Sequence, residues 1–316
     1  MTGGASGGHP ELLAVGDVGV DSFAAVDHLP RRDEKLWVLS SEDLPGGMMG
    51  NVASVAARLG CPSGVVARAG DDRHGDLVAE ALADAGVDLR YLRRIADRTF
   101  NALAVTEPDG GRALLQYDTE AFHADWSAVS PDGLAATRWV HTSLDQERCL
   151  SAVASDARAA GVSMSVDCEY PYILRDDVVD LLDGLRVVFV NEQAAEALGG
   201  VDAAIAWALD KGCRTAVVTI GEKGCVVGNL AGEAIGVHVP AHPVEPIDTN
   251  GAGDAFAAAF AVAALADWDD VAAAQFAAMV AALSTTGRGG QGADLSRARL
   301  VDEADAAGYP WRDDVP

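Results

Sequence analysis

Asp248-Thr249-Asn250-Gly251-Ala252-Gly253-Asp254-Ala255-Phe256 sets three small residues between two aspartates, ahead of an apolar run from Ala255 to Ala266. The pattern predicts a tight turn opening a buried helix. The first N–H groups of a helix have no intrahelical acceptor, and the helix dipole places positive potential at that end. Gly251, Ala252 and Gly253 can therefore aim their amides at one point as an anion cradle. Asp254 stands at its lip, where a carboxylate can accept a proton from a hydroxyl or orient it. Cradle and carboxylate suit phosphoryl transfer, which needs alignment and charge stabilisation more than covalent chemistry. The plainer alternative is a helix start with small residues and an Asp serving the dipole. Next to that dipole Asp254 is expected to have a low pKa.

Outward from this stretch, other loops carry compatible chemistry. Gly16-Asp17 and Asp21 follow a short apolar strand at Leu12–Val15, at the strand end where open α/β sheets bind ligands. Asp21 can accept hydrogen bonds from two neighbouring sugar hydroxyls, or simply face water. Gly46-Gly47-Met48-Met49-Gly50-Asn51 combines glycines that admit a ligand to the backbone with an amide at a helix start; Asn51 alternatively caps that helix. Thr219-Ile220-Gly221-Glu222-Lys223-Gly224 follows a β-branched strand and can touch nucleotide phosphates, though it also reads as a strand–turn–strand. Asn191 ends another strand. Gly287-Arg288-Gly289-Gly290-Gln291-Gly292 matches G-x-G-x-x-G but follows a helix and comes too late for a dinucleotide-binding unit; the chain has no P-loop motif.

The chain of 316 residues has room for roughly two domains, or one large domain with an appendage. Its formal charge of −25 argues against nucleic acid as a partner, because phosphate backbones require basic patches. No run of about 18 apolar residues predicts a membrane span. The Gly-rich residues 1–10 read as a disordered leader without the order of a secretory signal. Five scattered cysteines support neither metal spacing nor a disulfide framework and fit a reducing cytoplasm. Lysine occurs three times among 23 basic residues, which matches GC-rich coding, and the acidic surplus fits a saline cytoplasm.

Strand and helix patterns alternate from Leu12 onward, predicting a mostly parallel sheet with helices on both faces. Two more polar β segments, 21–45 and 98–120, interrupt that rhythm. The second contains a hairpin around Pro108-Asp109-Gly110-Gly111. They suggest a small β lid beside a main domain formed by 11–20, 46–97 and 121–305. A helix is also expected over Asp176 to Leu182.

In their order, these motifs make the chain similar to the ribokinase-like (PfkB-type) carbohydrate kinases, from about Leu12 to Leu300. D-T-x-G-A-G-D (Asp248 to Asp254) and the Gly-Gly…Asn segment carry the resemblance. It implies a three-layer α/β/α fold with a mostly parallel central sheet and a small β lid. It also implies an enzyme transferring the ATP γ-phosphate to a hydroxyl, a hydroxymethyl above all, of a sugar or sugar-like molecule. On this resemblance Asp254 is the base, and the amides of Gly251, Ala252 and Gly253 form the anion hole. Asp21, Gly46, Gly47 and Asn51 hold the sugar, while Asn191, Thr219, Gly221 and Gly224 line the nucleotide site. Asp248 and Asn250 form part of a monovalent cation (K⁺) site, Mg²⁺ accompanies ATP, and the lid pairs two subunits in a homodimer. Two departures stand out. Asn191 is followed by Glu192-Gln193-Ala194, so the N-x-x-E glutamate that organises Mg²⁺ is missing. Met48 replaces the lysine of ribokinase's sugar loop, and Asp145 is the candidate for the mid-chain sugar-binding acid. A nucleoside kinase with Tyr170, Tyr172 or Phe122 as a platform is one alternative. A sugar-phosphate or sulfosugar kinase using Arg31, Arg32 or Arg98 is another, and a non-catalytic sugar-binding protein is a third.

Overall fold

Strand β1 (Leu12–Val15) is the middle of the molecule. Its side chains are all buried, but they face opposite layers: Leu12 and Ala14 enter one hydrophobic cluster, Leu13 and Val15 the other. This is the period-2 alternation of a strand covered on both faces. In the computed structural model, which describes residues 8–109, 111–175, 181–232 and 236–307, the chain runs from β1 through β2 (Gly19–Ala25) and β3 (Ser40–Gly46). It continues through α1 (Met48–Arg58), β4 (Ser63–Gly70), α2 (Arg73–Asp84), β5 (Leu92–Ile95), β6 (Phe100–Thr106) and β7 (Arg112–Gln116). After α3 (Pro131–Ala135) come β8 (Trp139–Ser143), α4 (Leu150–Ala160), β9 (Ser163–Cys168) and β10 (Val187–Asn191). The helices α5 (Glu192–Ala197) and α6 (Val201–Asp210) precede β11 (Thr215–Thr219), β12 (Cys225–Asn229) and β13 (Val237–Val239). The chain closes with α7 (Ala252–Leu265), α8 (Asp270–Ser284) and α9 (Arg297–Ala307).

Nine strands form the main sheet in the order β13-β12-β11-β10-β9-β8-β1-β4-β5. All neighbours are parallel except β11–β12 and β12–β13. The chain leaves β1 toward β4 on one side and reaches β8 on the other, so the loops diverge there and open a crevice at the strands' carboxyl ends. Helices α1, α7 and α8 pack on one face, α4 and α6 on the other. Helix α7 is apolar around its whole circumference, and Ala255–Ala263 are buried throughout; such a helix belongs inside.

The second sheet has the order β3-β2-β6-β7, with β2–β6 parallel and both outer pairs antiparallel. It corresponds to the two polar β segments of the sequence, and the β6–β7 pair is the expected hairpin, whose Gly110 lies outside the described residues. Most of the helix expected from Asp176 also falls outside them, at 176–180. The apolar stretch Trp37–Leu39 forms no strand; its side chains are exposed.

Candidate active site

The backbone before α7 is fastened to the end of α8. Ile247 and Asp248 donate their N–H groups to the Thr285 carbonyl at 2.7 and 3.0 Å. The Asp248 carboxylate accepts from Asn250 N (3.0 Å) and Gly289 N (2.8 Å), bridging the two loops. Gly251 then turns into α7 with φ +76°, and a Cβ there would lie 2.6 Å from Gly290 Cα, so only glycine fits. No side chain caps α7. Gly253 is exposed, and a Cβ on it would meet nothing within 4 Å. Ala252 N–H donates to the Thr249 carbonyl at 3.4 Å, and this 14-residue helix begins without a side-chain cap, beside open space at Gly253.

Asp254, one residue further, is 9% exposed and accepts a 2.7 Å hydrogen bond from Asn51 Nδ2. Asn51 does not cap α1, whose N-cap is Gly47 without any side-chain cap; it points across to α7 instead. The low pKa expected for Asp254 is corrected here: burial pushes its carboxyl well above the ordinary value. The Asn51 N–H opposes the shift, and the carboxylates of Asp167, Asp17 and Glu169 reinforce it. Magnitudes explain the outcome. A helix terminus favours an anion by about 0.3–1 kcal/mol. Full burial raises a carboxyl by up to about 3–5 pK units, each worth about 1.4 kcal/mol.

On the other flank, Asn250 Nδ2 donates to Asp21 Oδ2 at 2.8 Å. Asp21 sits on β2 opposite the end of β3, and a Cβ on Gly46 would stand 2.5 Å from its Oδ2. Burial raises the Asp21 carboxyl, Asn250 lowers it and Asp248 adds to the rise. Gly47 has φ +86°, where a Cβ would come within 2.7 Å of Val18 Cα. Asp21, Gly46, Gly47, Asn51, Asp248, Asn250, Gly251 and Asp254 therefore surround one place, although they come from three distant parts of the chain.

The same strand ends carry Asp17, Asp145, the candidate mid-chain sugar-binding acid, and two acids without an expected role, Asp167 and Glu169. Asp17, just past β1, is 2% exposed; its Oδ2 accepts from Met48 N at 3.1 Å, while its buried Oδ1 has no hydrogen-bond partner among the described residues. Burial and the Asp145 carboxylate push it up to about 8. Asp145, past β8, accepts from Ser143 Oγ (2.5 Å) and Gln146 Nε2 (3.2 Å), and burial raises it too. Glu169, past β9, is pushed up to about 7 by burial, then by Asp167 and Asp145. Asp167 lies 3.2 Å from Nε2 of the buried His141. The usable sequence signal was position: each acid ends, or follows, a strand beside the switch point.

The remaining candidates lie further along the same sheet edge. Asn191 and Thr219 are register partners at the ends of β10 and β11. Asn191 Oδ1 caps α5 by accepting from Ala194 N at 2.9 Å. Gly221 (φ +59°) starts a 3-10 turn, and Gly224 (φ +95°) lies against the backbone of Val239 and Ala241. Lys223 Nζ is 3.6 Å from Glu192 Oε1. Among the described residues, no hydrogen bond joins these loops to the α7 group, and no cluster of three or more His, Cys, Asp or Glu could hold a metal ion.

A nine-stranded doubly covered sheet, an uncapped helix start beside a buried acid, and a small second sheet agree with the comparisons. The model of the pfkB family carbohydrate kinases matches residues 10–297. The chain belongs to this family of kinases. It is 30% identical over 298 residues to the ribokinase of Arabidopsis thaliana, covering 89% of this chain and 77% of that protein. It is 32% identical over 301 residues to the ATP-dependent ribose-1-phosphate kinase of Halopiger xanaduensis, covering 93% and 96%. The structure of Arabidopsis thaliana ribokinase complexed with ribose and ATP superposes with TM-score 0.79 at 26% identity, covering 93% of this chain and 98% of that one. The fold is thus ribokinase-like, and the chain is a kinase of the sugar or nucleoside kinase group. No helix among the described residues is long and apolar enough to cross a membrane.

Proposed function

We propose that this protein transfers the γ-phosphate of ATP to a hydroxymethyl group of an unphosphorylated sugar or sugar-like molecule. The observation that carries this reading is the buried Asp254, 2.7 Å from Asn51, in the first turn of a helix that no side chain caps and that has open space at Gly253. The acceptor O–H gives its proton to the Asp254 carboxylate as its oxygen bonds to the γ-phosphorus. The bond to the bridging oxygen breaks and ADP leaves. Amides of Gly251, Ala252 and Gly253 hold the charge on the transferring group. A carboxylate whose pKa burial raises is a better proton acceptor than one at its ordinary value. Asp21, Gly46, Gly47 and Asn51 hold the acceptor, with the second sheet as its lid. Asn191, Thr219, Gly221 and Gly224 line the nucleotide. Mg²⁺ travels with ATP, screening phosphate charge, since the N-x-x-E glutamate is absent. Asp248 keeps lone pairs beyond its two N–H bonds, which fits K⁺ there with Asn250.

Asp17, Asp145, Asp167 and Glu169 offer carboxyl groups that bond hydroxyls and supply no cation to pair with a phosphate on the acceptor, which favours an unphosphorylated one. The test is ADP release with Mg²⁺, with and without K⁺, across pentoses, hexoses, nucleosides and ribose-1-phosphate. Turnover on an unphosphorylated polyol is expected; turnover on the sugar phosphate alone would overturn the reading.

The second sheet bears Leu114 (60% exposed) and Leu115 (53%) on its edge strand, with Trp37 (88%) nearby in sequence to β3. Exposed apolar side chains on an edge strand favour pairing with a like edge, so the protein is expected to be a homodimer through this sheet. Sedimentation showing a monomer at micromolar concentration would refute that. The five buried free cysteines suit a reducing cytoplasm.

A further inference from the structure

Loop 287–292 matches a dinucleotide motif that this fold has no use for, yet it is built into the site. Helix α1 turns Asn51, Ser54 and Arg58 toward it, the i, i+3, i+7 spacing of one helix face. Arg58 Nη1 donates to the carbonyls of Gln291 (2.6 Å) and Ala293 (3.2 Å), fixing the loop backbone to the last turn of α1. A Cβ on Gly290 would collide with the Asn51 amide, so this glycine brings the loop close. Inside, Ser54 Oγ donates to Gln291 Oε1 (3.1 Å), and Gln291 Nε2 donates to Asn51 Oδ1 (3.2 Å). Asn51 Nδ2 then donates to Asp254 Oδ2 (2.7 Å). Ser54, Gln291 and Asn51 are all buried, away from competing water.

We infer that Gln291, backed by Ser54, is a positioning residue that holds the Asn51 amide with its N–H end toward Asp254. An unrestrained amide presents either end. With Oδ1 engaged by Gln291, Asn51 can offer its carbonyl to Asp254 only if Gln291 turns as well. The N–H end favours the ionised carboxylate that must accept a proton; the carbonyl end favours the protonated one. The other charged groups acting on Asp254 are Asp17 beyond β1 and Asp167 and Glu169 of the β9 end, all acids, so the amide supplies the opposing effect.

The inference rests on Asp254 being the proton acceptor, and the experiment separates the two. Gln291→Glu keeps the shape but, when ionised, offers Asn51 only acceptors, so Asn51 turns its carbonyl to Asp254. We expect kcat to fall about 10²-fold, as for other small misplacements at reacting groups. KM for ATP should stay within a few-fold, and the acid limb of the kcat–pH profile should move to higher pH. Gln291→Met, which adds no buried charge, should lower kcat and move the limb in the same direction. In an Asn51→Ala background it should add nothing further. Losses that multiply in the double variant, or an unmoved acid limb alongside a lowered melting temperature, would overturn the relay. Asp254→Asn turning over at the parent rate would sink the assignment of the base; a dead Asp254→Asn beside a fully active Gln291→Glu would sink only the relay.

Discussion

Asp254→Asn is expected to fold, to melt later than the parent at neutral pH, and to transfer phosphate about 10²–10⁴-fold more slowly, the usual worth of a positioned base. The asparagine can still accept the Asn51 N–H with its own carbonyl, so the geometry survives while the proton acceptor is lost. The stability gain follows from linkage. Burial raises the Asp254 pKa in the folded state above its ordinary value of 3.8. Stability linked to such a group is complete below the unfolded pKa and is lost as pH rises through the folded one. The amide does not titrate and escapes that loss. The advantage of the variant should therefore be absent near about pH 4 and grow toward neutrality, with Asp17, raised from 3.8 to about 8, imposing the same slope on both proteins. Melting curves across pH and single-turnover rates check both halves. Parent-like turnover, or a gain confined to acid pH, would contradict them.

Gly253→Ala should separate stability from activity in the same way by a different route. Glycine inside a helix costs about 0.5–1 kcal/mol relative to alanine, and a methyl group at this position meets nothing within 4 Å. The variant should be more stable by that order. Yet the free space beside the exposed amides is where the transferring phosphate must come. Crowding it should lower kcat/KM by on the order of 10²-fold, comparable to losing one oxyanion donor. Gly251→Ala makes the contrast. Its φ of +76° and the 2.6 Å approach to Gly290 mean that it should lose stability as well as rate. A Gly253→Ala enzyme with the parent's kcat/KM would show that phosphate does not approach this face of α7.

Much of the architecture could be read from local pattern. The β1, α1, β4, α2 run is legible because apolar periodicity and glycine stops coincide there, and Asp248 to Phe256 announced an uncapped helix start. Three things were not legible, for physical reasons. The pKa of Asp254 depends on what covers it, and that cover comes from α1 and from strand ends far away in sequence. Asp167 and Glu169 read as ordinary strand and loop acids until the parallel order of β1, β8 and β9 brings them beside Asp17 and Asp145. Gln291 sat within a motif rejected on sound grounds, and only its hydrogen bonds to Ser54 and Asn51 give it a purpose.

The hydrogen bonds at the centre of the site span nearly the whole polypeptide. Asn51 and Asp254 are 203 residues apart, Asp21 and Asn250 229, and Asn51 and Gln291 240. Contacts of such high order form late, after local helices and hairpins, because the loop-closure entropy must first be met. Catalytic competence is therefore acquired at the end of folding, and a nascent chain that has not yet delivered its last third has the acceptor loops but no engine.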